Sequence, residues 1–178
     1  MLAPFTFAYV EKQLRKKNFG ILSTVTPQGR PHSVGVVYGI PSSELPFSLY
    51  LITRPTLRKA KNIKMNHNVS FVVPFPHYFL RFVPQSCVQF QGTAEILAAD
   101  DPVALRMFQS SRVLKSSLEH TRMLGDPIFI RIEPDEKIFL WGLGANVWQI
   151  IRHSTSNCYV MVPPDRRNRH PEGRNKLF

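Results

Sequence analysis

Apolar residues recur along this chain at two periods, and the changes of period divide it into elements. Phe7, Val10 and Leu14 fall three and four apart with lysines and an arginine between them, so Phe7 to Lys17 is predicted as a short amphipathic helix broken by Gly20. The period then drops to two. Ile21 to Thr26 and Pro31 to Gly39 read as strands joined at Thr26-Pro27-Gln28-Gly29, where Pro and Gly hold the positions a type I turn prefers. On the second strand Val34, Val36 and Tyr38 share one face and Ser33, Gly35 and Val37 the other. A glycine inside a strand, here Gly35, predicts a close approach to the backbone. Pro41 to Pro46 is a loop, Phe47 to Thr53 a third strand, and Pro55 opens a helix through about Met65, ended by Asn66-His67-Asn68.

Val69 to Val73 and Cys87 to Leu97 are two further strands, with Val83 to Ser86 as loop and Gly92 marking a bulge in the longer one. Asp101 and Pro102 are an N-cap and first helical residue. That helix is predicted to run to about Leu124, with Leu105, Phe108 and Leu118 on its buried side and Gly125 as stop. Ile128 to Ile132 and Lys137 to Trp141 are strands hinged at Glu133-Pro134-Asp135, and Ala145 to Arg152 reads as a short helix. Six or seven short strands with interspersed helices predict a β-barrel with helices packed outside it. At 178 residues this is one domain, 1–178, with a basic tail from about residue 163.

The formal net charge of +11 calls for anionic partners: nucleic acid, phosphorylated cofactors or anionic lipid. Part of the excess lies in the proline-interrupted tail from Asp165 to Lys176, read as a solvated terminus. The two cysteines, Cys87 and Cys158, lie far apart with no C-x-x-C, which argues against a disulfide framework and a zinc knuckle. The six histidines show no metal-ligand spacing, so no metal site is expected. No apolar run reaches the ~18 residues of a membrane span, and the first twenty residues lack the order of a secretory signal, so a cytoplasmic protein is expected.

The candidate chemistry sits at the end of the third strand. Thr53-Arg54-Pro55-Thr56-Leu57-Arg58-Lys59 brings hydroxyls and two adjacent cations to the start of a short helix. A fork-shaped guanidinium and a compact ammonium can address different oxygens of one phosphate, and first-turn N–H groups add further donors. The plainer reading is a solvated basic helix face of Arg54, Arg58, Lys59, Lys61 and Lys64. Charge by itself favours that reading; the flanking pattern favours the phosphate.

That pattern comprises two strands across a Pro-Gly turn, a strand ending Thr53-Arg54-Pro55, then Leu57-Arg58-Lys59-Ala60-Lys61-Asn62 and later Val88-x-Phe90-x-Gly92-x-Ala94. It resembles the flavin-binding split-barrel family, relatives of pyridoxamine 5'-phosphate oxidase, from about residue 7 to 141. The resemblance implies a homodimeric split β-barrel with peripheral helices that binds FMN and acts as an oxidoreductase on a small substrate. Arg58 and Lys59 match the family's phosphate-binding pair, and Thr53 the small or hydroxyl residue ending the preceding strand. Leu57 stands where the family has Ser, with Thr56 as the substitute hydroxyl. His32, Ser33, Val34 and Gly35 lie on the strand bordering the isoalloxazine ring. The family's barrel-strand glutamine falls near Cys87, with Gln89 close by, and Trp141 is a candidate to contribute from the partner subunit. Pyridoxamine phosphate oxidation itself is disfavoured, because the oxidase's C-terminal arginine-and-tryptophan motif is not evident. The alternatives within the fold are a deazaflavin or haem ligand, with His32 or a C-terminal histidine as the first axial candidate, or a cofactor-binding or storage protein without turnover.

Other constellations carry less. Gly142-Leu143-Gly144-Ala145-Asn146-Val147 follows no βαβ unit and is read as a turn rather than a dinucleotide loop. Tyr78 to Phe82 interleaves aromatics with Arg81, as a nucleic-acid stacking platform would. No nucleic-acid-binding motif supports it, and a loop over the barrel is the preferred reading.

Overall fold

The computed structural model describes residues 6–76, 85–142 and 159–168. The helix α1 (Phe7–Arg15) precedes the strands β1 (Phe19–Val25), β2 (Pro31–Gly39) and β3 (Leu49–Thr53). The helix α2 (Arg58–Met65) leads into β4 (Asn68–Phe75) and β5 (Ser86–Leu97). Two helices follow, α3 (Pro102–Ser110) and α4 (Arg112–Met123), then β6 (Ile128–Pro134), β7 (Lys137–Trp141) and β8 (Tyr159–Met161). The antiparallel order β1-β2-β3-β6-β5-β4 closes on itself through the β4–β1 and β4–β5 pairings, while β7 and β8 extend the sheet from β5. No helix among the described residues is long and apolar enough to cross a membrane.

Alternation builds the interior. Leu22, Tyr38, Leu51, Phe71, Phe90 and Ile130 all point inward and are almost wholly buried. Each end of the barrel is plugged by a helix. At one end α1 buries Val10 and Leu14, and the Tyr38 hydroxyl donates to the Leu14 carbonyl at 2.8 Å. At the other end α2 buries Ala60 and Ile63, and the Asn62 side-chain amide donates to the Thr24 hydroxyl at 2.9 Å. A second core lies outside the barrel, where α3 and α4 cover Tyr50, Ile52 and Phe129 with Met107, Phe108, Leu114 and Leu118.

Several sequence expectations are corrected here. The single helix from Asp101 is two, because Ser110 turns its hydroxyl back to the Met107 carbonyl at 2.7 Å and Ser111 is extended. Helix α2 begins at Arg58 rather than Pro55, with Leu57 as its extended N-cap. Gly92 is no bulge. Strand β5 keeps register with β4 from Ser86 to Thr93, and the irregularity lies in the facing chain. That chain advances from Pro134 to Phe139 while β5 goes from Gly92 to Gln89. Gly92 is needed because a Cβ there would lie 2.1 Å from the Glu133 carbonyl oxygen. The expected helix at 145–152, the turn at 142–147 beyond Gly142, the Tyr78 to Phe82 loop and the tail beyond Asn168 lie outside the described residues.

The start of the basic tail is part of the body rather than a solvated terminus. The Phe47 N–H donates to the Arg166 carbonyl at 2.7 Å, and Arg167 pairs with Glu136 at 2.9 Å. Arg166 grips both carboxylate oxygens of Glu11, at 2.9 and 3.1 Å, and Arg15 adds a contact at 2.6 Å. Glu11 is only 6% exposed, and a carboxylate so placed needs its counter-charges. Burial pushes its pKa up, but the hydrogen bonds from Arg166 and Arg15 outweigh it, and the net displacement is below the ordinary value. A carboxyl with a lowered folded pKa contributes stability above its unfolded value of about 4.3, and loses it as pH falls through the folded value. The difference in urea midpoint between the wild type and Glu11→Gln is therefore expected to be full at neutral pH and to shrink below about pH 4. A difference that stays constant to pH 2 would contradict this.

Candidate cofactor site

The site is organised by an interruption in strand pairing. Strand β3 pairs with β2 only at Tyr38 and Gly39, although β2 begins at Pro31. The Tyr38 N–H donates to the Asn18 carbonyl at 2.8 Å and the Thr26 N–H to the Arg30 carbonyl at 2.8 Å. Even-numbered residues of β2 therefore direct their backbone groups towards β1, and odd-numbered ones direct theirs away from it. Among the described residues, the N–H and C=O groups of Ser33 and Gly35 consequently lie along a strand edge that no other strand pairs. His32 and Val34 sit opposite Thr24 and Leu22 and turn their backbone groups to β1.

At the end of β3, where the chain leaves the sheet, Thr53 is 2% exposed and its Oγ1 has no hydrogen-bond partner among the described residues. The chain turns through Arg54 to Leu57, with the Leu57 N–H on the Arg54 carbonyl at 3.2 Å, and enters α2. Leu57 offers no capping side chain. The N–H groups of Ala60 and Lys61 both reach the Leu57 carbonyl, at 3.0 and 3.1 Å. The first-turn N–H groups of Arg58 and Lys59 have no intrahelical acceptor.

Around these donors, Arg58 is exposed and Lys59 half-buried. Burial, and then repulsion from Arg54, lower the Lys59 pKa. Arg54 donates to the Leu124 carbonyl at 3.0 Å, at the end of α4. None of the ion pairs among the described residues involves Arg54, Arg58, Lys59, Lys61 or Lys64. Cations beside an uncapped helix N-terminus oppose the helix dipole, a conflict that an anion seated between them removes. Thr56 is exposed on the same turn.

The other residues singled out in the sequence lie further along the sheet. The Ser33 hydroxyl is 2.8 Å from that of Ser23, and the Val34 side chain packs on the barrel core. His32 is half-buried, with its Nδ1 buried and unpartnered. Gln89 is exposed on β5 and Trp141 half-buried at the end of β7, opposite Cys87. Registers place Gly35, Ile21, Val72, Gln89, Phe139 and Tyr159 in one cross-strand row on the outer face. Two open clefts, of about 430 and 370 Å³, lie beside Ile40, Glu44 and Met107 and beside Ser23, Ser70 and Gln91, and neither includes Arg58, Lys59 or Thr53. Among the described residues no three His, Cys, Asp or Glu side chains come together as metal ligands would.

Sequence reasoning missed two structural roles. Asn62, quoted only as part of a motif, fixes α2 to β1 through Thr24; its burial was legible only as one polar position beside Ile63. Phe19 lies over Gly35, a contact that the glycine signalled without naming its partner.

The family model of pyridoxamine 5'-phosphate oxidase matches residues 8–141. The chain belongs to that family. Its barrel is similar to those of solved structures of low sequence identity. HutZ, the haem storage protein from Vibrio cholerae, is 18% identical, with a TM-score of 0.60 over 76% of this chain and 95% of its own. A pyridoxamine 5'-phosphate oxidase-related, FMN-binding protein from Nostoc punctiforme is 17% identical, with a TM-score of 0.59 over 82% and 87%. A FAD-binding protein from Mesorhizobium loti is 21% identical, with a TM-score of 0.53 over 74% and 89%. No curated protein matches the chain.

A buried hydroxyl without a partner carries the cost of its desolvation. Thr53→Val keeps the shape and removes that hydroxyl. The cofactor-free variant is expected to be as stable as the wild type or up to about 2 kcal/mol more stable in urea denaturation. A loss of more than about 1 kcal/mol would show that the hydroxyl supports the fold.

Proposed function

We propose that this protein is an FMN-binding oxidoreductase of the pyridoxamine 5'-phosphate oxidase family, acting on a small molecule as a homodimer. The observation that carries the reading is the buried, unpartnered Thr53 hydroxyl at the foot of an uncapped helix whose first two residues are Arg58 and Lys59. These donors suit a dianionic phosphate. Arg58 gives a planar fork, Lys59 a point charge, and the first-turn amides and Thr53 supply short neutral donors; Thr56 can close the seat from the loop.

The open β2 edge supports the ring half of the reading. Ser33 and Gly35 present alternating N–H and C=O groups, the pattern that the imide edge of an isoalloxazine complements. Bound flavin supplies hydride and electron transfer. The chain's part is to hold the phosphate, orient the ring against β2 and exclude water from one face.

The homodimer reading rests on the outer face. Ile21, Val72, Phe139 and Tyr159 share one row, with Phe139 and Tyr159 39% and 48% exposed and Met161 beside them at 42%. Gln89 and Trp141 lie on this face, within reach of a cofactor shared with a second copy. An outer sheet face with these exposed apolar side chains, interrupted at Gln89, suits burial against a partner. Light scattering is expected to give twice the chain mass of 20.5 kDa. A monomer that holds flavin tightly would contradict the shared site.

A haem ligand, as in HutZ, or a deazaflavin is the second reading. The unpartnered Nδ1 of His32 is the observation that favours haem. The visible spectrum of the purified protein separates the two, with flavin bands against a Soret band.

Arg58→Ala is expected to weaken FMN binding by about 1.5–3 kcal/mol, the contribution of a hydrogen bond to a charged group. Arg112→Ala, on the exposed side of α4, should leave it unchanged. Riboflavin, which lacks the phosphate, should bind Arg58→Ala and wild type equally. Equal losses for both ligands in calorimetric titrations would assign Arg58 to the fold.

A further inference from the structure

Phe19 is the first residue of β1 and pairs with Val37, but its ring leans diagonally across β2 onto Gly35. A Cβ built on Gly35 would lie 2.9 Å from the ring Cε2 and 3.0 Å from Cζ, so the ring occupies the space that any other side chain would need. The ring belongs to neither hydrophobic core and is 49% exposed. It therefore stands on the outer face of β2, whose N–H and C=O groups at Ser33 and Gly35 no other described strand pairs. Polar backbone groups at the strand edge and an apolar ring over its outer face together form a seat. That seat fits a planar heteroaromatic ring whose edge bonds to β2 and whose face meets an aromatic.

We propose that Phe19 is a positioning residue of the cofactor site, its ring forming the wall that holds the isoalloxazine against the Ser33–Gly35 edge. The inference rests on the flavin reading and adds to it a residue outside the phosphate seat. Its effect falls on the ring and not on the phosphate, so it should act alike on FMN and riboflavin. Gly35 is then required because only a residue without a Cβ admits the Phe19 ring. The competing role is structural: an aromatic laid over a strand glycine shields the backbone and pins the register without any ligand.

Calorimetric titration of FMN and of riboflavin into the full-length protein separates these roles, with flavin emission and light scattering recorded on the same samples. Phe19→Ala and Phe19→Leu are expected to weaken both ligands by the same factor, about two- to tenfold, the range of an aromatic pair. Phe19→Trp, which keeps an aromatic ring there and can donate an electron to an excited flavin, should retain affinity and lower the emission of bound flavin, while Phe19→Ala and Phe19→Leu leave that emission unquenched. Unchanged affinity and emission, with only a lower melting temperature, would overturn the proposal and leave Phe19 as a cover for Gly35. A loss of affinity that accompanies loss of the dimer would overturn it too, by assigning the ring to the subunit interface. A wild type that binds neither ligand removes the flavin reading and this inference together; wild-type binding with indifferent variants removes this inference alone.

Discussion

The hydrogen bond from Asn62 to Thr24 is the contact on which the site depends. Helix α2 is only eight residues long, carries four positive charges with Arg54 a fifth just before it, and would not persist alone in water. It is held because Ala60 and Ile63 fill the barrel end while Asn62 bonds to a strand hydroxyl that is itself buried. With those three residues fixed to β1 and the interior, the opposite side of the helix, and its first turn, can only face outward over the end of β3. Docking of the apolar side thus aims the cationic side. A substitution at Asn62 should disturb ligand and fold together, unlike one at Arg58, which touches nothing that the barrel needs.

The same geometry accounts for the local conflict at the helix start. Arg58 and Lys59 oppose the helix dipole, Lys59 is partly desolvated next to Arg54, and Thr53 buries a hydroxyl with no partner. Each of these costs stability in the empty protein, and one anion seated there would answer all three. The buried carboxylate at the α1 end is treated differently. Glu11 is buried but held by two arginines, and Arg167 meets Glu136. The partly desolvated Lys59 at the α2 end has no such ion-pair partner among the described residues.

Much of this was legible in the residues. The alternation of Leu22, Val36 and Tyr38 fixes the inward faces, and the hydroxyls and adjacent cations from Thr53 to Lys59 mark the strand end on which the proposed seat rests. The break between α3 and α4 was not legible, because Ser110 and Ser111 are compatible with a helix and only the backbone bond to Met107 shows which conformation won. Gly92 signalled a close approach, but whether a bulge or a neighbouring carbonyl causes it depends on where β6 ends, a long-range fact. The alternate use of Ser33 and Gly35, as against His32 and Val34, needs the register with β1. The pairing of Arg166 with Glu11 joins residues 155 positions apart, and composition could show only that both ends were charged.

The direct test is a titration of the isotope-labelled protein with FMN, followed through its backbone amide resonances. The account predicts the largest saturable shifts at Arg58 and Lys59, where the phosphate would be seated, and at Ser33 and Gly35, along the open edge. Riboflavin should reproduce only the second pair. Shifts confined to the clefts beside Met107 or Ser70, or to the basic residues after Arg166, with the amides of Arg58 and Lys59 unmoved, would contradict it.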